Sequence, residues 1–418
     1  MPSRIQTAET ESHRLNGDGT LKRSAVSTRI RESLSLTESY LVARRFRGYD
    51  PYDALSSPLF QVPVLRGSSL MRATAQQLLR RFPVNVRPLL GIRRGYNPVT
   101  LGLALRAYAY LTAADPQQAD YYRGQAEHCL SELQRLRSAG YSGACWGYDF
   151  DWQTRHGLIS AGTPTIVATG FVTTGLYEAH RLLGMPNALR LCESACGFLR
   201  KDLHATKDTD GAFCWSYSPL DRSAVLNATM KGARLCAAVY ELTGDKQLAS
   251  LAERTVRFVS RRQRTDGSWP YAVGDERTWA DNFHTGYVLE CLAEYERCTG
   301  DDTFASQRQR GWEHYRRSFF TDEGLPKYYD NRIYPIDATA CAQAILTLCR
   351  FGDVNAATRV AIWAVEHMQR PDGAFVYQIH RRYSNRIPYV RWSAAWMFCA
   401  LARLLLEDGR RPFGCASG

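Results

Sequence analysis

This sequence lacks the features that mark several common classes of protein. No apolar run is long enough to cross a membrane, and the polar first segment has no apolar core of a secretory signal. None of the 12 cysteines forms a Cys-x-x-Cys pair, so neither a zinc ribbon nor a disulfide framework is indicated. No nucleic-acid-binding motif is present. We therefore expect a cytoplasmic protein with small, buried, reduced thiols and no nucleic-acid partner.

The composition is that of an ordinary globular protein with an excess of positive charge. Apolar residues make up 45 % of the 418 residues, and charged residues make up 22 %. The formal net charge is +12, and most of the 53 basic residues are arginines scattered along helical segments. One interpretation is a basic face for an anionic substrate or a membrane surface, and the other is a solvated arginine-rich surface.

The chain repeats one pattern six times. Polar, proline or aromatic residues precede a small, apolar, Ala/Gly-rich helix at six positions, which lie about 59 residues apart. These six helix openings are at 97–100, 163–165, 226–229, 281–285, 335–339 and 389–393. A more charged, amphipathic helix follows each of the first five openings, and then a turn rich in glycine and aromatic residues.

This repeat predicts an all-α (α/α)6 toroid of six inner and six outer helices. Apolar helices belong inside and amphipathic ones outside, and an N-terminal helix supplies the twelfth. Ring closure gives the last inner helix, apolar throughout, a partner that an open solenoid would lack. We predict one domain over 31–407, with a disordered polar tail at 1–30 and a short tail at 408–418. The helix openings and aromatic turns then share one rim, where an aromatic-lined cup is the expected ligand site.

Several motifs, in a fixed order, carry a resemblance to one bacterial family. They lie at 145–153, 162–169, 266–269, 281–287, 326–330, 334–337 and 389–392. Together they resemble the VpsJ-type polysaccharide-biosynthesis proteins, over most of the chain. The resemblance implies a toroid of an exopolysaccharide or capsule pathway, and it brings no established reaction. The segment 263–269 is also similar to the Gln/Trp repeats of triterpene cyclases, but the Asp-x-Asp-Asp motif of those enzymes is missing.

Two groups of polar residues are the main catalytic candidates. Asp281 caps the fourth inner helix, and His284 lies in its first turn, where the helix dipole opposes protonation of the imidazole. A neutral histidine beside an ionised carboxylate suits acid–base chemistry, and the alternative is a capped core helix with a buried histidine. Asp149 and Asp151 flank Phe150, and in an extended segment their carboxylates point the same way and can share a sugar or a cation. Alternatively, one of them caps the turn and the other is solvated.

Further candidates lie at the neighbouring helix openings. Asp337 opens the fifth inner helix, as a rim carboxylate or only as its N-cap. Tyr328 is a candidate general acid or base at C5 of a uronate. Asn282, His284, a nearby tyrosine and Arg391 match, by residue type, the Asn/His/Tyr/Arg set of polysaccharide lyases. The predicted substrate-binding residues are Trp146, Tyr148, Trp152, Trp269, Asn282, Tyr287, Tyr329, Tyr334, Arg391 and Trp392.

Three functional hypotheses follow. The first is a carbohydrate-active enzyme that binds an oligosaccharide or lipid-linked glycan and acts by lyase, epimerase or glycoside hydrolase chemistry. Hydrolysis would need two carboxylates across the cup, one of them Asp149 or Asp151 and the other Asp281 or Asp337. The second hypothesis is a non-catalytic glycan-binding or scaffold subunit of the membrane-associated polysaccharide synthesis machinery. The third is a toroid that handles terpenoid or prenyl chains in a deep apolar cavity.

No cofactor and no metal are expected. A candidate set of zinc ligands is His284, Asp337 and Cys341, but the spacing of these residues matches no metal-binding motif.

Overall fold

Twelve long helices alternate between an inner and an outer ring in this computed structural model, which describes residues 19–154 and 157–410. The helices in chain order are α1 (Gly19–Ala43), α2 (Pro63–Gly67), α3 (Ser69–Arg81), α4 (Pro98–Ala114), α5 (Ala119–Arg135), α6 (Ile166–Leu183), α7 (Pro186–Lys201), α8 (Leu226–Thr243), α9 (Lys246–Ser260), α10 (Asn282–Thr299), α11 (Ala305–Ser318), α12 (Ala338–Arg350), α13 (Val354–Met368) and α14 (Ala395–Gly409). Helices α4, α6, α8, α10, α12 and α14 form the inner ring, and α1, α5, α7, α9, α11 and α13 form the outer ring. The predicted all-α (α/α)6 toroid is confirmed.

The inner helices are buried on nearly every face because small residues let their backbones approach. A Cβ atom added to Gly175 of α6 would lie 2.2 Å from the carbonyl oxygen of Gly102 in α4. Only glycine fits at such a contact. Side chains at the openings cap these helices: the Thr165 hydroxyl accepts from the Ala168 amide, and the Asp281 carboxylate accepts from the His284 amide.

The ring closes where the chain's two ends meet. Helix α14 packs against α4, and α1 packs against both α13 and α14. The predicted start of the domain at residue 31 falls inside α1, which begins at Gly19. Residues 1–18 of the predicted N-terminal tail, and 411–418 of the C-terminal one, lie outside the described residues. No helix within the described part of the chain is both long and apolar enough to span a bilayer.

Small antiparallel sheets edge the rim at which the inner helices begin. Strand β1 (Trp152–Gln153) pairs with β2 (Leu158–Ile159), β3 (Ala205–Lys207) pairs with β4 (Phe213–Trp215), and β5 (Ile336–Asp337), β6 (Gln378–Ile379) and β7 (Ser384–Asn385) pair in that order. The segment 48–95, which includes α2 and α3, covers part of the same rim. The Gln76 side chain bonds the backbone of Gln153, and the Tyr52 ring packs against Trp152 and Trp392.

Candidate active site

An aromatic-x-Tyr sequence recurs in the turns that lead to the inner helices. The first aromatic residue is buried under an outer helix, and the tyrosine two residues later faces the opposite side because an extended chain alternates its side chains. The pairs are Trp146/Tyr148, Trp215/Tyr217, Trp269/Tyr271 and Phe375/Tyr377, with Tyr328 at the same place in the fourth turn. We call Tyr148, Tyr217, Tyr271, Tyr328 and Tyr377 the tyrosine ring.

Backbone hydrogen bonds fix the tyrosine ring to the helix openings. The amides of Ile166, Leu226, Asn282 and Ala338, the first residues of four inner helices, donate to the carbonyl oxygens of Tyr217, Tyr271, Tyr328 and Tyr377. These bonds are 2.9–3.1 Å long. Each joins one repeat to the next, so the ring of side chains follows the ring of helices.

The prediction that Trp146 and Trp269 bind substrate is wrong. Both indoles are buried in the core, and each donates its N–H to an outer-helix carbonyl, that of Leu133 at 2.8 Å and of Val259 at 3.2 Å. Three members of the tyrosine ring, Tyr217, Tyr271 and Tyr377, were not among the predicted binding residues. Their signal in the sequence is the period-two spacing behind each buried aromatic residue.

The walls of the cup are aromatic. Trp152 stacks on Tyr217 with ring centroids 6.1 Å apart, and its ring also meets Tyr148 at 6.0 Å. Tyr52, which sequence reasoning missed, bridges Trp152 and Trp392 with edge contacts at 5.8 and 5.9 Å. The structure therefore brings Tyr148, Trp152 and Trp392, three of the predicted binding residues, to one place.

A lysine between aromatic rings forms the floor of the cup, one to two turns below the helix openings. Tyr287 stacks on Trp396, and Phe171 meets both rings edge-on. The Nζ of Lys231 lies 3.7 Å from the Phe171 centroid and 4.0 Å from that of Tyr287. Burial lowers the pKa of Lys231 to about 8, and Arg234 contributes to this by repulsion. The floor therefore holds a cation that is easily deprotonated.

A layer of charged side chains closes the barrel beneath this floor. Every inner helix contributes to the layer, with Arg106, Glu178, Arg234, Glu290, Glu294, Arg350 and Arg403 around a void of about 10 Å³. Glu290 lies 3.6 Å from Arg106 and 3.7 Å from Arg234. Burial alone would raise the pKa of Glu290, but the two arginines bring it below its ordinary value. We call this layer the charged plug.

Asp281 and His284 form a hydrogen-bonded pair on the wall of the cup. One carboxylate oxygen of Asp281 accepts from the His284 amide at 2.9 Å, and the other lies 2.6 Å from Nδ1 of the imidazole. In the neutral tautomer that donates from Nδ1 to Asp281, the Nε2 atom of His284 carries a lone pair. The His284 side chain is 28 % exposed, and its ring lies 4.9 Å from that of Tyr271. A void of about 20 Å³, enough for one water molecule, lies beside the pair.

The other predicted carboxylates are engaged elsewhere. Asp149 accepts from the Asn97 side chain at 2.7 Å, whereas Asp151 accepts from the Ala161 amide at 2.7 Å. The two do not form a shared site. Both oxygens of Asp337 are occupied, one by two amides of α12 and the other by Gln378. Burial raises the pKa of Asp337 to about 6, and the residue is an N-cap, so its predicted catalytic role is wrong.

The predicted Asn/His/Tyr/Arg set does not assemble around His284. Asn282 is buried and accepts from the Tyr315 hydroxyl at 2.8 Å, away from the cup. Arg391 donates to both oxygens of Asp50, at 2.5 and 2.8 Å, so this buried guanidinium already has its carboxylate. The prediction that Arg391 binds substrate directly is wrong because its charge is neutralised within the fold. Its guanidinium instead supports Tyr148 and Trp392, 4.9 Å from each ring.

Tyr328, Tyr329 and Tyr334 lie at the edge of the cup. Tyr328 is buried against Phe283, with centroids 5.3 Å apart, and has no contact with His284 itself. Tyr329 pairs with Asp281 through the backbone, and both Tyr329 and Tyr334 line a second cleft of about 720 Å³. Among the described residues, no three His, Cys, Asp or Glu side chains are placed to hold a metal ion together.

Comparisons with known proteins identify the fold. The sequence matches no protein-family model and no curated protein. Its structure is similar to cellobiose 2-epimerase from Bacillus thermoamylovorans, with a TM-score of 0.59 and 12 % identity over 75 % of this chain and 88 % of that one. It is similar to unsaturated glucuronyl hydrolase from Streptococcus agalactiae, with a TM-score of 0.58 and 11 % identity over 92 % of each chain. A glycoside hydrolase family 76 mannosidase from Bacteroides thetaiotaomicron gives a TM-score of 0.57 and 8 % identity over 90 % of this chain and 98 % of that one.

Proposed function

We propose that this protein is a carbohydrate-active enzyme that holds an oligosaccharide or lipid-linked glycan in the aromatic cup and transfers a proton through His284. The observation that carries the proposal is the Asp281–His284 pair, with Nδ1 held at 2.6 Å and Nε2 left with a lone pair beside the tyrosine ring. Structural similarity to a sugar epimerase, a glucuronyl hydrolase and a mannosidase supports carbohydrate as the ligand class.

The chemistry follows from the roles of the two residues. Nε2 of His284 accepts a proton from a carbon acidified by an adjacent carbonyl or carboxylate group, and Asp281 stabilises the imidazolium that forms. Negative charge then develops on the oxygen of that neighbouring group. Protonation of that carbon on the opposite face by a second donor gives an epimer, and departure of the substituent on the next carbon, with its electron pair, gives an unsaturated lyase product. Tyr271, whose pKa is raised by burial, stays protonated next to His284 and is able to donate.

Two alternatives fit the cup less well. Hydrolysis calls for two free carboxylates, whereas Asp149, Asp151 and Asp337 are each bound within the fold. A prenyl chain suits a deep, apolar cavity, whereas this cup carries the Asp281–His284 pair on its wall and the Lys231 ammonium at its floor.

The pathway and the compartment are part of the same proposal. The resemblance of the sequence motifs to VpsJ-type proteins supports a place in exopolysaccharide or capsule synthesis, with the membrane-associated machinery as partner. The described cysteines are buried, which suits the reducing cytoplasm.

Solvent exchange tests the proposed reaction. We expect the protein, incubated in D₂O with cellobiose, mannobiose or a trigalacturonate, to introduce deuterium at a carbon of at least one sugar, seen by NMR. His284→Gln should reduce this exchange at least about 100-fold. His367→Gln, an exposed histidine on α13, is the matched control and should leave it unchanged. Exchange that survives in His284→Gln would refute the assignment, and glycan binding without exchange in the natural protein would favour the scaffold hypothesis.

A further inference from the structure

A second, strongly basic cleft opens on the rim beside the cup. It lies between the β6–β7 hairpin, the loop that contains Tyr328 and Tyr329, and the C-terminal end of α3, and its volume is about 720 Å³. Five arginines line this basic cleft: Arg80, Arg81, Arg332, Arg381 and Arg382. Four tyrosines line it as well: Tyr328, Tyr329, Tyr334 and Tyr383.

The positive charge of the basic cleft is uncompensated. No aspartate or glutamate lines it, and within the described ranges no carboxylate oxygen lies within 4.0 Å of any of the five guanidinium groups. Arginines elsewhere in the protein have such partners, as Arg87 does with Asp53 at 2.7 Å and Arg391 with Asp50. Five unpaired arginines around one concavity repel each other, so the arrangement favours an anion between them.

Stacking orients two of these arginines. The guanidinium of Arg332 lies 4.1 Å from the Tyr329 centroid, and that of Arg80 lies 4.9 Å from the centroid of Tyr52. Apart from the 3.5 Å contact of Arg80 with the Tyr377 hydroxyl, the described residues provide no hydrogen-bond acceptor for any of the five side chains. Guanidinium groups held by stacking have their N–H edges available. Such edges bind carboxylate and phosphate groups through paired hydrogen bonds.

The segment that lines the basic cleft is bonded to the segment that carries the proposed catalytic pair. The Asn282 amide donates to the Tyr328 carbonyl at 2.9 Å, and Tyr329 pairs with Asp281 through the backbone. From the Tyr328 ring, Phe283 leads to His284 through centroid separations of 5.3 and 4.4 Å. Arg80, over Tyr52, borders the cup on the other side. Because Tyr52 contacts both Trp152 and Trp392, Arg80 adjoins the wall of the cup, and the cup and the basic cleft are neighbours on the rim.

We propose that the basic cleft is an oxyanion-binding subsite, which holds the carboxylate or phosphate of an anionic glycan while its reacting sugar occupies the cup. This inference rests on the proposed function and names its substrate class. Arginine forks bind the oxyanion, and the tyrosines cover the adjoining sugar faces. A carboxylate would come from a uronate residue of the glycan, and a phosphate would come from the diphosphate of a lipid-linked or nucleotide-linked sugar.

Titration calorimetry with three probes tests the subsite. The probes are trigalacturonate, inorganic pyrophosphate and neutral cellotriose, each at 150 mM salt. We expect the double variant Arg381→Gln/Arg382→Gln, at the exposed tip of the hairpin, to weaken binding of at least one anionic probe about tenfold or more, and to leave cellotriose unchanged. The control Arg190→Gln/Arg200→Gln removes the same charge from the exposed face of α7 and should bind all three probes as the natural protein does.

The probes also distinguish the two sources of the oxyanion. Loss confined to trigalacturonate indicates a uronate, and loss confined to pyrophosphate indicates a diphosphate-linked sugar. Equal losses in both double variants, or no binding of either anion by the natural protein, would overturn the proposal. His284→Gln separates it from the catalytic assignment, because this variant should keep its affinity for the anionic probe while exchange is lost.

Discussion

Replacing Lys231 by methionine should stabilise the protein at neutral pH and less so at high pH. The ammonium lies at the floor of the cup between Phe171 and Tyr287, with no carboxylate in contact among the described residues. Methionine has a similar length and needs no water. The side chain is buried, with 7 % exposure, so solvent relieves little of the cost of its charge.

The magnitude follows from the shift in pKa. Burial lowers the pKa of Lys231 to about 8 from an ordinary value of 10.5. Because the folded state binds the proton more weakly, the cost is fully present below pH 8 and disappears as the pH rises towards 10.5. Linkage gives a cost of about 3 kcal/mol at pH 7 and about 1 kcal/mol at pH 9.5. Cation–π attraction to the two rings offsets about 1 kcal/mol of this cost. We therefore expect Lys231→Met to raise the free energy of unfolding by about 2 kcal/mol at pH 7.

Thermal melting at several pH values checks this reasoning. The melting temperature of Lys231→Met should exceed that of the natural protein by several degrees at pH 7, and the difference should shrink by about half at pH 9.5. Lys201→Met, an exposed lysine at the end of α7, is the matched control and should show no such trend. A difference for Lys231→Met that is constant between pH 6.5 and 9.5 would refute the argument, since it would mean that folding does not lower the pKa of the lysine.

Four other substitutions separate structural from functional roles. Asp281→Ser keeps an N-cap oxygen for α10 and should cost less than about 1 kcal/mol in chemical denaturation, but it removes the carboxylate from His284 and should slow deuterium exchange at least about tenfold. Trp152→Ala should weaken glycan binding several-fold with little change in melting temperature, because the ring is part of the cup wall, whereas Trp146→Ala should cost about 3–5 kcal/mol because that ring fills the core. The reverse ranking of these two tryptophans would contradict the placement of the cup. Asp50→Asn leaves the buried Arg391 without its carboxylate and should cost about 3–5 kcal/mol by denaturant unfolding, and an unchanged midpoint would show that the pair contributes little.

The sequence was sufficient to predict the fold because the signals for it are local and repeated. Each inner helix is marked in the sequence by a capping residue followed by a run of small apolar residues. Six such runs with charged helices between them are compatible with few folds. The Asp281–His284 pair could be predicted for the same reason. His284 follows Asp281 by three positions at the start of one helix, so their contact does not depend on the rest of the chain.

The remaining site residues depend on contacts between distant segments. Asp149 forms its hydrogen bond with Asn97, 52 residues away, and Arg391 forms its ion pair with Asp50, 341 residues away. Neither side-chain orientation could therefore be predicted from neighbouring residues. The alternation that buries Trp269 and exposes Tyr271 is a local signal, but its phase relative to the cup is set by packing under the outer helices. Segment 48–95 gives no sign in the sequence that it lies over the rim.

The charged plug makes the cup a blind pocket. A void of about 10 Å³ among Arg and Glu side chains admits no more than a water molecule, so nothing threads through the barrel from end to end. Under the proposed function, substrate therefore enters and product leaves through the same opening at the rim, and only the part of a glycan that turns into the cup meets His284.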